Sequence, residues 1–224
     1  MNNKLGAGQL APIFGDNMTG TDMMNSLGYR MEDTGHVNFI AAQKLQALND
    51  AQRQVVAMCS NDALPHLQVS EDLDTVGTDT DLGSLKYFAL PSPVDGNPNP
   101  VEPLMNRFVK AYDDTNNRWI EMVSPNGFGE NTSYNYGTLG TLMRNRLYVS
   151  SAISPTSCIL IYIGTPADIA DNSTEIENLS DSVQQAIIEM AESLLWRQDN
   201  RQNRSAAAKQ SAIEIVTSIN QLGA

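Results

Sequence analysis

The sequence is poor in the features from which covalent cross-links, metal sites and membrane spans are built. It contains two cysteines, Cys59 and Cys158, which lie far apart and form no CxxC pair, so neither a disulfide framework nor a zinc site is indicated. The longest strongly apolar run, Cys158 to Ile163, has six residues, and the first residues lack the apolar segment of a secretion signal. We therefore expect two buried thiols in a soluble protein without a membrane span.

Basic residues are also scarce. The chain of 224 residues has 14 Lys and Arg against 26 Asp and Glu, and the net charge of −12 argues against a surface that grips nucleic acid or an anionic membrane. Residues 1–60 carry four basic and five acidic side chains, residues 61–178 carry six and sixteen, and residues 179–224 carry four and five. The acidity belongs to the middle of the chain, which we expect to differ in structure from both ends.

Motifs for common enzyme chemistry are missing as well. The sequence contains no GxxxxGK[ST] loop, no GxGxxG after a predicted strand, no HExxH and no GxSxG. We interpret the two histidines, His36 and His66, as capping or surface residues rather than as a general base or metal ligands. The expectation is a protein that is not an enzyme and has no catalytic residues, no cofactor and no bound metal.

Both ends of the chain have a helical pattern. Apolar residues recur at three- and four-residue steps from Val37 to Cys59, which predicts an amphipathic helix over roughly residues 35–60. A second pattern begins after Ser180, a candidate N-cap, lapses across 197–204 and resumes over 208–219. The second pattern has two interpretations: a helical hairpin that turns near Asp199–Asn203, or one helix about 65 Å long whose second half needs neighbouring subunits to cover it.

The middle of the chain has the pattern of short strands. Runs rich in β-branched and aromatic residues predict strands at Leu85–Leu90, Phe108–Tyr112, Arg118–Val123, Thr138–Met143, Arg146–Ser150 and Cys158–Ile163. Their spacing favours a small antiparallel sandwich or barrel. The predicted fold class is α+β, with N- and C-terminal helices packed together and a central antiparallel β sandwich or barrel-like region.

The same patterns suggest three parts of the chain. Residues 1–33 are expected to form a flexible N-terminal arm with a short helix, because the first twenty residues have four glycines and no sustained period. Residues 34–63 together with 179–224 are expected to form a helical domain. Residues 64–178 are expected to form a β-rich domain, in which 91–103, with five prolines in thirteen residues, is a long surface loop.

Three groups of side chains in the middle of the chain suggest chemistry. The acidic stretch 71–81 resembles a calcium loop but has Val76 and Gly83 at two ligand positions, so a solvated acidic loop is favoured. Glu121 and Glu130 flank a turn, as the two carboxyl groups of a glycosidase would. A pair at this spacing also arises by chance in a chain with so many carboxylates. A sugar-stacking platform would be built from four aromatic residues, Trp119, Tyr134, Tyr136 and Tyr148. That platform motivates an alternative function, a β-sandwich carbohydrate-binding or tail-associated receptor module.

Three separated segments resemble one family. The first is Leu48-Asn-Asp-Ala-Gln-Arg-Gln-Val-Val56, which is similar to an "LNxAQR" helix. The second runs from Tyr134 through Arg146-Leu-Tyr-Val-Ser150 to the end of Ile159-Leu-Ile-Tyr-Ile-Gly-Thr-Pro-Ala-Asp-Ile169, and it resembles "xLYLSPxP…LxLxYxxxPADL". The third, Leu179–Asp199, resembles a closing helix. In this order the segments resemble the head-to-tail connector, or adaptor, proteins of tailed bacteriophages.

The resemblance implies a structural virion protein, made in the cytoplasm of a bacterial host and located at the head-tail junction. Proteins of this family form rings, commonly of twelve subunits, beneath the portal, and they join capsid to tail around the channel through which DNA is ejected. The expected partners are therefore copies of the chain itself, the portal protein and a tail or nozzle protein. DNA is expected to pass without specific binding, and no membrane is involved.

Two sets of residues are candidates for contacts in such a ring. The interface candidates are the arm residues Ile13 and Phe14, three arginines on one helix face, Arg197, Arg201 and Arg204, and the second apolar stripe, Ile213, Val216 and Ile219. The arginines suit either DNA phosphate or an acidic partner, and the overall charge favours the partner. Candidates for an acidic channel surface that repels phosphate are Glu71, Asp72, Asp74, Asp79 and Asp81.

Overall fold

The computed structural model describes residues 18–90, 107–131, 137–150, 153–171, 176 and 179–222. The chain divides into two compact units: a helical unit, residues 1–63 with 168–224, and a β-rich unit, residues 64–167. The predicted α+β fold class is confirmed. The β-rich unit ends at Ala167 rather than at 178, because the residues that follow bond to a helix of the other unit. Residues 1–17 of the predicted arm and the proline-rich loop 91–103 lie outside the described residues, whereas the short helix expected within 1–33 is present at Gly20–Arg30.

The described helices and strands are as follows. The helices are α1 Gly20–Arg30, α2 Ala41–Met58, α3 Pro125–Asn131, α4 Asp181–Gln198 and α5 Gln202–Leu222, with single 3-10 turns at Asn61–Ala63 and Pro65–Leu67. The strands are β1 Gln68–Leu73, β2 Val76–Asp79, β3 Leu85–Ala89, β4 Phe108–Asp113, β5 Arg118–Trp119, β6 Glu121–Met122, β7 Leu139–Met143, β8 Arg146–Ser150 and β9 Cys158–Ile163. None of the described helices is long and apolar enough to cross a membrane.

Helix α4 is the centre of the helical unit, and α1, α2 and α5 all pack on it. Its buried face includes Val183, Ile187, Met190, Ala191 and Leu195. Ser180 occupies the predicted N-cap position, but its side chain makes no capping hydrogen bond. Instead, the buried side chain of Gln184 donates to the carbonyl of Leu179 at 2.7 Å and ties the chain that enters the helix to its first turn.

The C-terminal pattern forms a hairpin, not one projecting helix. The chain reverses after α4 through Asn200, whose φ of 58° is in the left-handed region. The hydroxyl of Ser205 then donates to the carbonyl of Ser193 at 2.9 Å, and small side chains at Ala208 and Ala212 are buried where α5 contacts α4. Helix α5 therefore covers much of its apolar stripe within its own subunit.

Helix α2 begins at Ala41, later than the predicted start near 35, because Asp33 organises the preceding turn. Its carboxylate accepts the backbone N–H groups of Val37, Asn38 and Phe39 at 2.7, 3.0 and 3.0 Å. The fully buried ammonium of Lys44 lies 3.0 Å from the same carboxylate and also donates to the Asp33 carbonyl. Burial alone would raise the pKa of Asp33, but these donors outweigh it and hold the pKa well below its ordinary value.

We expect Lys44→Met to destabilise the helical unit by about 3 kcal/mol, because it leaves a buried carboxylate without its counter-ion. Urea unfolding followed by Trp196 fluorescence in a Trp119→Phe background measures the loss in this unit. The control is Arg53→Met, which breaks exposed ion pairs and is expected to cost less than about 1 kcal/mol. Equal losses in the two variants would contradict the role given to Lys44.

The β-rich unit contains two sheets. One has the strand order β1-β9-β4-β5 and the other β2-β3-β8-β7-β6. The pairs are antiparallel, as predicted, except for the short parallel pair of β6 with β7. The core contains Phe88, Leu147, Leu160 and Tyr162, all fully buried. The run predicted at Arg118–Val123 is divided by Ile120, which is buried and donates its N–H to the neighbouring Ala111.

Both cysteines are buried thiols, as predicted, and they form no disulfide with each other. Burial raises the pKa of the Cys158 thiol to about 12, and the neighbouring carboxylates of Asp113 and Asp114 add to the effect. The thiolate is the reactive form of cysteine, so this side chain acts as a small apolar core residue.

The acidic stretch 71–81 is not the solvated loop that its charge suggested. It contains the last three residues of β1 and the whole of β2, and these are edge strands of two different sheets. Asp79 is buried at the end of β2, where it accepts a hydrogen bond from Tyr148 at 2.7 Å and pairs with Arg146 at 3.0 Å. The Arg146 guanidinium also lies 4.0 Å from the ring centre of Tyr87. Asp79 is therefore a structural residue and is removed from the candidates for an acidic channel surface.

The hydrogen bond from Tyr148 is the main reason that the pKa of Asp79 lies below its ordinary value, with burial acting the other way and Arg146 adding to the lowering. A lowered folded-state pKa stabilises the fold above the unfolded pKa of about 4, and the contribution is lost as the pH falls. We expect Asp79→Asn to lower the melting temperature at neutral pH, by a difference that shrinks below about pH 4.

Trp119 fluorescence in a Trp196→Phe background reads this change in the β-rich unit. Asp81→Asn, at an exposed position nearby, is the control and is expected to melt like the parent at every pH. A difference between Asp79→Asn and the parent that stays constant down to the lowest pH would contradict a contribution from the ionised carboxylate.

Candidate interaction surface

The first two segments of the family resemblance meet in the helical unit. Asn49, in the middle of α2, accepts the backbone N–H of Ile169 at 2.7 Å and donates to the carbonyl of the same residue at 3.1 Å. Both residues are buried. One turn further along α2, Arg53 pairs with Asp168 at 3.1 Å. The side chains of the LNDAQR segment therefore hold the Pro-Ala-Asp-Ile segment directly.

The third segment completes this arrangement. It contains α4, which packs on α2 with Ala47, Ala51 and Val55 buried on the α2 side. Residues from three distant parts of the sequence thus contribute to one helical unit. The Asn49–Ile169 hydrogen bonds are a buried structural contact, whereas the Arg53–Asp168 pair is exposed.

A basic cluster stands at the α4–α5 turn, which we call the arginine–tryptophan tip: Trp196, Arg197, Arg201 and Arg204. The guanidinium carbons of Arg201 and Arg204 lie 5.0 and 4.8 Å from the ring centre of Trp196. Arg201 pairs with Asp199 at 2.6 Å. Arg197 and Arg204 are exposed and have no ion-pair partner within the described ranges. Two unneutralised guanidinium groups therefore face solvent on an otherwise acidic chain.

The tip is held in place from beneath. The indole N–H of Trp196 donates to Glu192 at 3.0 Å, and the other oxygen of Glu192 accepts from Arg30 of α1 at 2.6 Å. Arg30 also pairs with Glu189, one turn earlier on α4. Because Trp196 is buried and its N–H is occupied, the ring is a fixed platform for the two arginines. Such stacking reduces the conformational freedom that a guanidinium loses when it binds a partner.

A groove of about 470 Å³ lies beside the tip, between α2 and α4. Its walls include Gln46, Gln54, Gln198, Asp50 and Arg197. Asp50 already accepts hydrogen bonds from Gln46 and Arg53. The apolar side chains of Ala47 and Leu194 complete the lining, so the groove combines amide, charged and apolar surface.

The structure separates the predicted interface residues. Arg197, Arg201 and Arg204 lie together at the tip, as their helical spacing predicted. Val216 is buried within its own subunit, so it is no longer a candidate for a contact between subunits. Ile213 and Ile219 are half-buried on α5. Ile13 and Phe14 lie outside the described residues.

The predicted acidic set is also divided. Asp72, Asp74 and Asp81 are exposed, whereas Glu71 accepts a hydrogen bond from Tyr162 at 2.9 Å and Asp79 is buried. Across the described ranges, no three His, Cys, Asp or Glu side chains are grouped closely enough to hold a metal ion. The stretch therefore presents a surface charge, with no calcium geometry.

Of the aromatic residues proposed as a sugar platform, the two that the structure describes, Trp119 and Tyr148, do not share a surface. Tyr148 is fully buried with its hydroxyl on Asp79. Trp119 is 53% exposed, but the Lys110 ammonium lies 4.3 Å from its ring centre and the ring of Tyr112 packs against it edge-on. Tyr134, Tyr136 and the side chain of Glu130 lie outside the described part of the chain.

Both histidines lie at the surface, as predicted. His66 is exposed on the second 3-10 turn, and His36 is exposed with a φ of 54° and its Nδ1 atom 3.2 Å from the Lys44 ammonium. Sequence reasoning missed the roles of Asn49 and Trp196. The position of Trp196 immediately before the three arginines could have indicated its role. The role of Asn49 could not be predicted, because its partner Ile169 lies 120 residues away in the sequence.

No protein-family model matches the chain, and no curated protein sequence is significantly similar to it. Its function therefore has to be argued from its own residues and from the resemblance in the three segments.

We expect Asn49→Ala to destabilise the helical unit by about 1–3 kcal/mol, because it leaves the buried N–H of Ile169 without an acceptor. Urea unfolding measures the loss, and hydrogen exchange at the Ile169 amide is expected to accelerate. Gln46→Ala, on the exposed side of the same helix, is the control and is expected to change stability by less than about 0.5 kcal/mol. Unchanged exchange at Ile169 would contradict the assignment.

Proposed function

We propose that this protein is a structural head-to-tail adaptor of a tailed bacteriophage, which forms a ring below the portal and joins the capsid to the tail. The observation that carries the proposal is the contact between Asn49 and Ile169, together with the pairing of Arg53 and Asp168. These residues belong to two segments that were matched to the family separately. Their direct bonding supports the interpretation that the two segments form one inherited structural unit rather than two chance resemblances.

The architecture suits a protein that joins two different partners. The helical unit and the β-rich unit each have their own core, so each offers a separate surface. In this proposal the helical unit contacts the portal and the β-rich unit contacts a tail or nozzle protein.

The net charge of −12 also fits a conduit. A wall of the same sign as DNA phosphate does not hold the genome as it passes, whereas a basic wall would bind it in a salt-dependent way. The proposal includes no enzymatic step. The alternative of a carbohydrate-binding module loses one of its four proposed stacking residues, because Tyr148 is buried and cannot stack on a sugar.

Electron microscopy of the purified protein mixed with the portal protein of the same phage tests the proposal. Negatively stained portal particles are expected to gain an additional ring of density at one end. A portal from an unrelated phage is the control and is expected to look unchanged. Particles that stay bare in both mixtures, with the protein left as free monomer, would overturn the proposal, as would specific retention on a glycan array.

A further inference from the structure

The arginine–tryptophan tip has the properties of a binding surface for carboxylates. Arg197 and Arg204 are exposed and lack an ion-pair partner within the described residues, while Arg204 is positioned by stacking on Trp196. A guanidinium offers paired N–H donors whose geometry matches a carboxylate. A partner for this surface must therefore be acidic and must reach the end of a helical hairpin.

The chain itself carries such a surface. We call Asp72 and Asp74 the acidic corner: Asp72 is on β1, and Asp74 is in the two-residue connection to β2. Both carboxylates are exposed and have no ion-pair partner in the described part of the chain. Because β1 and β2 are edge strands, the connection between them is open to another molecule.

The signs of the two surfaces dictate how copies can meet. A two-fold contact through the tip would place arginines against arginines, and one through the acidic corner would place carboxylates against carboxylates. Contact between the tip of one copy and the acidic corner of the next places opposite charges together. Every open assembly built by this contact has one tip and one acidic corner free, and it closes either as a reciprocal two-fold dimer or as a ring.

We propose that the arginine–tryptophan tip binds the acidic corner of a second copy of this chain. The inference rests on the proposed function for the statement that copies associate, and it names the contact by which they do so. It also gives Asp72 and Asp74 a role in subunit contact in place of the channel role predicted from the sequence. DNA phosphate, the competing partner for the arginines, is disfavoured by the acidity of the whole chain.

Paired charge reversals test this contact. The tip-reversed variant is Arg197→Glu with Arg204→Glu, and the corner-reversed variant is Asp72→Lys with Asp74→Lys. Each variant alone places like charges in the contact, so its association, measured by sedimentation velocity, is expected to weaken by about tenfold or more. In an equal mixture, the reversed surfaces face each other with opposite signs, as do the unaltered surfaces, and association is expected to return.

Matched controls separate this contact from general charge effects and from misfolding. Arg144→Glu with Lys209→Glu, and Asp62→Lys with Glu214→Lys, make the same charge changes at exposed positions elsewhere and are expected to associate like the parent. Circular dichroism checks that every variant is folded. Association of the parent is expected to weaken between about 50 mM and about 500 mM NaCl, because exposed charges are screened.

Three outcomes would overturn the inference. These are a parent protein that is monomeric at every concentration and salt, variants that associate like the parent, and an equal mixture that does not recover. Loss of DNA retention in the tip-reversed variant, with self-association unchanged, would assign the tip to nucleic acid instead. In any of these cases, rings of the parent protein on the portal would leave the proposed function standing.

Discussion

The two hydrogen bonds between the Asn49 side chain and the backbone of Ile169 close a helical unit whose sequence is interrupted by residues 64–167. The chain returns from β9 through residues 164–170, which form neither helix nor strand, so the buried backbone N–H and C=O of Ile169 need hydrogen-bond partners from another segment. Asn49 supplies both a donor and an acceptor at that point. With the returning chain fixed there, α4 packs along α2, and α5 folds back on α4.

The sequence reveals those elements whose hydrophobic pattern is set by burial alone. The three- and four-residue periods of α2, α4 and α5, and the apolar runs of β8 and β9, predict their existence because one face of each is covered. The hydrophobic pattern does not predict strands β1 and β2. Asp79 and Asp81 look equivalent in the sequence, yet one is buried against Arg146 and the other is exposed. The two residues are distinguished only by Arg146 and Tyr148, which bond to Asp79 from 67 and 69 positions away in the sequence.

The candidate surface could be predicted in part. The helical spacing of Arg197, Arg201 and Arg204 places them on one face whether the C-terminal region is a rod or a hairpin. Their stacking on Trp196 depends on the hairpin turn, which small side chains at Ser205, Ala208 and Ala212 permit by letting α5 approach α4 closely. The same packing covers most of the second apolar stripe within its own subunit, so the stripe does not need a neighbouring copy to bury it. We therefore base the proposed subunit contact on exposed charged residues rather than on exposed apolar residues.

The central claim is that this chain works as one of many copies on a portal. Native mass spectrometry of portal particles incubated with the protein tests it most directly, because the mass gained counts the copies bound. The account predicts a single dominant complex whose added mass corresponds to a full ring of chains, with few intermediate species. Portal particles of unchanged mass, or a broad distribution of one to a few bound copies, would contradict it.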